Sequence, residues 1–67
     1  MIEVSLNNEI VALAPPVNLL TALQLWGYDQ QKCAVAVNGE FVARSHYGNF
    51  ELNNADEIDV VGAVGGG

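Results

Sequence analysis

Asn38-Gly39 stands between two apolar runs, Cys33 to Val37 before it and Phe41-Val42 after Glu40. The Asn-Gly pair favours a type I′ turn, whose two central residues both need positive φ and whose twist suits paired strands. The alternation around it predicts an antiparallel hairpin, the first fixed point of the fold. Everything else must be arranged around a sheet.

The flanking segments supply its other parts. Ile2, Val4 and Leu6 alternate with Glu3 and Ser5, as in a strand with one buried face. Asn7-Asn8 tolerate turn conformations, so "EIVALA" forms a second strand and the chain opens on a hairpin. Pro15-Pro16 ends it, since proline cannot donate to a ladder. Asn18 is placed to cap a short helix through "LLTALQLW", with Leu19, Leu20, Leu23 and Trp26 on one face and Gly27 at its end. "YDQQK" reads as a polar connection and "RSHYGNFEL" as an irregular stretch bent at Gly48. After the turn "NNAD", "EIDVVGA" is a last strand, with Ile58 and Val60 on one face and Asp59 and Val61 on the other. One helix on one face of a mixed sheet gives a two-layer α+β fold.

Sixty-seven residues make one domain. So small a body buries roughly 60% of its unfolded surface and holds a net stability of only ~3–5 kcal/mol. That favours a binding or carrier module over an enzyme with a deep cleft. Eight acidic residues against Lys32 and Arg44 give a net charge of −6. Such a surface suits neither nucleic-acid phosphates nor anionic membranes, and matches partners with basic faces. With 51% hydrophobic residues, some apolar side chains must stay outside, and a contiguous patch marks a protein partner. Val61, with Val11 and Phe41, is the expected patch on the sheet. Asp56, Glu57 and Asp59 are the acids expected to dock basic residues beside it.

Cys33 is the only cysteine, which excludes an internal disulfide. It opens an apolar strand and reads as a small core residue. His46 reads as solvated, and one Cys with one His makes no zinc or iron–sulfur site. There is neither a signal-peptide pattern nor an apolar run near the ~20 residues of a membrane helix, so a cytoplasmic, membrane-free protein is expected. No resident cofactor is expected.

The chain closes on "VVGAVGGG". Each glycine costs backbone entropy and packs nothing, so a glycine run after an apolar strand asks for a chemical reason. A terminal carboxylate is ionised, at a reference pKa of ~3.3–3.7, and is a poor electrophile. It reacts once activated, most simply by ATP to an acyl-adenylate inside a site that excludes water. A narrow channel to such a site passes glycine without a clash. Residues 63–67, fully extended, span about 17 Å.

These residues carry a resemblance. The element order and final Gly-Gly resemble the ubiquitin-like, β-grasp carriers. "VAVNGEFVARS", "NNADEIDVV" and "GGG" resemble the ThiS sulfur-carrier family of thiamin biosynthesis over nearly the whole length. The chain departs from that family's usual pattern at Ala43, often proline, at Tyr47, often tryptophan, and at Ala55, usually glycine. The resemblance implies a β-grasp domain over residues 1–62 and a flexible glycine-rich tail over 63–67. It implies that an adenylating, E1-like enzyme consumes ATP to activate Gly67, with Gly65 and Gly66 threading its channel. A cysteine-derived persulfide, from a donor such as a cysteine desulfurase system, then gives a thiocarboxylate, and thiazole synthase accepts the sulfur. The carrier is a co-substrate, monomeric when free. Three rivals stay open. One is a carrier like the small subunit of molybdopterin synthase. The others are a ubiquitin-type modifier and an adaptor that uses only its sheet.

Overall fold

The structure, a computed structural model, describes residues 1–64, with side-chain surroundings through Gly62. β1 (Ile2–Leu6) and β2 (Glu9–Leu13) form the opening hairpin. Asn7 and Asn8 turn it at φ 49° and 71°, which asparagine tolerates better than most residues. α1 (Leu19–Leu25) begins at Asn18, whose Oδ1 accepts the Thr21 N–H at 2.8 Å. Gly27 follows the helix at φ 86°. β3 (Tyr28–Val37) and β4 (Glu40–Val42) meet through Asn38-Gly39, both at positive φ as the expected turn requires. A 3-10 helix (Arg44–Asn49) leads towards β5 (Glu57–Val64).

The sheet order is β2-β1-β5-β3-β4. β5 lies at its centre, parallel to β1 and antiparallel to β3. α1 covers one face, so the α+β, β-grasp arrangement expected from the sequence is the one found. Val4, Val35 and Ile58 from the sheet meet Leu19 and Leu23 from the helix in a core without solvent exposure. Each such burial contributes roughly 1.5–3 kcal/mol, and this packing sustains a helix of seven residues.

Two segments differ from the expectation. "YDQQK" belongs to β3, because Tyr28 pairs with Val64 across an irregular register. The stretch after Ala43 is helical, and its Tyr47 is buried in the core. β5 also runs to Val64, two residues into the segment assigned to the tail. Gly65, Gly66 and Gly67 lie outside the described residues.

Side chains extend the ladders where strands stop. Past the end of β1, the Asn7 Oδ1 accepts the Val60 N–H at 2.8 Å and its Nδ2 donates to the Val60 carbonyl at 3.4 Å. Beyond β3, the Asn38 Oδ1 accepts the Glu57 N–H at 2.9 Å. The central strand is thus clasped by asparagine from both flanks.

Candidate functional site

Opposite the helix, the sheet presents an open face. Period-2 alternation places Glu57, Asp59 and Val61 of β5 on it. The register sets Ala36 between Phe41 and Asp59, and Ala34 beside Val61. Two alanines therefore make a low floor between larger neighbours. Phe41 is 78% exposed and Val61 64% exposed, values that put both side chains in water rather than in the core.

Val11 does not join them. It pairs with the buried Val4, so it shares that residue's face and packs on the core. The exposed apolar residue of β2 is its neighbour Ile10, opposite Ser5. Of the three acids, Glu57 and Asp59 are exposed on the open face. Asp56 is held within the fold: its Oδ2 accepts the Asn53 N–H at 2.8 Å and its Oδ1 accepts the Asn38 Nδ2–H at 3.1 Å. A carboxylate engaged this way shapes the turn before β5, a structural task that Glu57 and Asp59 do not share.

The far end of β5 has an unusual partner. Cys33 pairs with Gly62 and Tyr28 with Val64, so four residues of β3, 29–32, face one residue of β5. Gly62 has φ 127°, and a Cβ there would stand 2.4 Å from the Lys32 carbonyl oxygen and 2.9 Å from the Cys33 Cα. Only glycine fits that close approach. On the opposite side of β3, Arg44 holds the bulge. Its Nε donates to the Gln30 carbonyl at 2.7 Å and its Nη2 to the Cys33 carbonyl at 3.2 Å. Neither Arg44 nor Gly62 carries a local sequence pattern that marks this role. The signal available was that Arg44 is one of only two cations in the chain.

Cys33 is buried, as expected for a core residue. Burial pushes its thiol up, opposed by the Arg44 charge and helped by Asp29, and a thiol so held is a weak nucleophile. His46 is exposed beside an open groove with Phe41, Val42 and Phe50. Among the described residues, no group of three His, Cys, Asp or Glu side chains comes together to hold a metal. Among them, too, no helix is long and apolar enough to cross a membrane. What the site offers is an apolar face with acids at one end, and a central strand that leads out from it to the glycines.

This architecture defines a β-grasp domain of the ubiquitin-like class. Within that class the ThiS family model matches residues 3–67, and the chain belongs to the ThiS family. It is similar in structure to the thiamine biosynthesis protein ThiS from Geobacter metallireducens. The TM-score is 0.83 at 20% identity, over 98% of this chain and 100% of that one. No curated protein gives a significant match.

Proposed function

We propose that the chain is a sulfur carrier of thiamine biosynthesis that works through the carboxylate of Gly67. The observation that carries this reading is the family match, which extends from the folded body through the closing glycines. An adenylating enzyme joins the carboxylate to AMP and releases pyrophosphate. A persulfide sulfur then attacks the acyl carbon and AMP leaves, forming an acyl disulfide. A second thiol reduces this to the thiocarboxylate and is itself oxidised to a disulfide. The thiocarboxylate sulfur passes to thiazole synthase, and the carboxylate is recovered. The carrier contributes no acid or base to these steps.

Two features support the division of labour. β5 is paired through Val64, so the ordered sheet extends close to the glycines on which the carrier reading places the chemistry. An activating enzyme that takes up the C-terminal segment would then dock on the sheet itself. Phe41, Val61, Ala34 and Ala36 supply an apolar face there, and Glu57 and Asp59 favour a partner with basic groups at its rim.

The test is the intact mass of the chain after incubation with the adenylating enzyme, ATP, a persulfide donor and a thiol. Replacement of one oxygen by one sulfur, abolished by deletion of Gly67, is the expected result. Attachment to lysines of other proteins instead would establish a modifier. Delivery of the sulfur to a molybdopterin precursor rather than to thiazole synthase would establish the other carrier type. No change in mass with an active enzyme present would leave an adaptor.

A further inference from the structure

We propose that Arg44 is a positioning residue for the end of β5, acting through the β3 bulge to hold Gly62 and Val64 in their register against β3. The inference rests on the carrier reading for its consequence in sulfur transfer, and on the fold alone for its mechanism.

β4 pairs with β3 only at residues 35–37 of that strand. Continuing the register would set Ala43 beside Ala34 and Arg44 beside Cys33. There the chain turns into the 3-10 helix, and the Arg44 side chain takes the place of the missing strand. Its planar fork gathers two carbonyls, of Gln30 within the bulge and of Cys33 at its end, which bracket residues 31 and 32. With those ends tied, residues 31 and 32 are pressed towards β5, and the Lys32 carbonyl meets Gly62. Past Gly62 the next pair is Tyr28 with Val64, so the bulge sets which residue of β3 Val64 meets. On the carrier reading, a shift of this pair is passed on to whatever follows Val64. Displacing reacting atoms by about 1 Å can cost roughly 100-fold in rate.

Arg44→Ala frees the two carbonyls, and Arg44→Lys, a single charged point without the fork, restores the grip in part. Asn54→Ala serves as the comparison. It removes the hydrogen bond from the Glu3 N–H to Asn54 Oδ1 at the other end of β5. Amide exchange in the isolated full chain is measured first. Arg44→Ala should speed exchange at Val64 at least tenfold and leave Ile58 unchanged, while Asn54→Ala leaves Val64 as in the wild type. Thiocarboxylate formation by the adenylating enzyme is then followed by mass. Arg44→Ala should lower kcat by roughly 10- to 100-fold with KM nearly constant, Arg44→Lys should fall between, and Asn54→Ala should match the wild type. Unchanged exchange at Val64 in Arg44→Ala overturns the inference. So does a kcat loss equal in Arg44→Ala and Asn54→Ala. If the wild type forms no thiocarboxylate, the carrier reading fails, and the exchange measurement alone decides the role of Arg44.

Discussion

The Asn7 carboxamide makes with Val60 the pair of hydrogen bonds a peptide would make, accepting its N–H at 2.8 Å and donating to its carbonyl at 3.4 Å. The contact joins residues far apart in the chain and ties the first turn to the central strand. Asn7→Gly keeps the positive φ and removes the carboxamide, so it isolates the side chain. A loss of about 1 kcal/mol is expected, seen as a fall in melting temperature of about 4–8 °C. Asn8→Gly, at φ 71° in the same turn, should leave the melting temperature unchanged or raise it.

Ala55 has φ 72°, a left-handed conformation that crowds a Cβ by roughly 1–2 kcal/mol. Its N–H donates to the Glu3 carbonyl at 2.7 Å, and glycine retains that donor. Ala55→Gly should therefore stabilise the domain, by about 1 kcal/mol or slightly less once the added freedom of the unfolded chain is counted. Urea unfolding checks this: the midpoint should rise with an unchanged slope.

Phe41 and Val61 stand out from the open face, so removing either disturbs the fold little. Val61→Asp and Phe41→Ala should stay within about 0.5 kcal/mol of the wild type in stability. Each should weaken binding to the adenylating enzyme by tenfold or more, about 1.4 kcal/mol, as central apolar contacts do. Val11→Ala behaves oppositely, destabilising the body without a specific effect on binding. Calorimetric titration distinguishes the two, and unchanged affinity in both outer-face variants refutes the docking role.

Alkali should unfold the protein through two groups. Burial pushes the Cys33 thiol above its ordinary 9.0 and the Tyr47 phenol above its ordinary 10.0, the latter also raised by Cys33. Both groups hold their protons more tightly when folded than when unfolded. Their contribution is thus complete below the unfolded values and declines as pH rises through the folded ones. Urea midpoints should begin to fall near pH 9 and fall faster above pH 10. Cys33→Ala should move the onset up towards the tyrosine range. A midpoint constant through both ranges in the wild type would show that neither group is coupled to folding.

Local chemistry made most of the fold legible. Asn38-Gly39, the alternation in β1 and β5, and the Asn18 cap each act over a few residues and needed no tertiary knowledge. The first half of β3 was hidden because its bulge breaks the two-residue period on which strand recognition depends. Residues 29–32 share one partner position, so no alternating pattern exists there to find. Val11 was misplaced for a related reason. Ile10 and Val11 are both apolar, and only the pairing with Val4 decides which of them faces the helix. Tyr47 reached the core from a stretch whose neighbours are polar and exposed. The exposed apolar face was partly legible, through Phe41 and Val61. Its alanine floor was not, since Ala34 and Ala36 show their role only when the strands on either side are known. Asp56 looked like its acidic neighbours until its two hydrogen bonds assigned it to the turn.

The central place of β5 has a mechanical consequence. Tension on the glycine end is delivered along a strand bonded on both sides, to β1 and to β3. Ladder bonds run across the strand direction, so such a pull loads several bonds together in shear. An edge strand with one partner would instead peel bond by bond. On the proposed carrier reading, a body held by its C-terminal segment passes that load to two neighbouring strands rather than one.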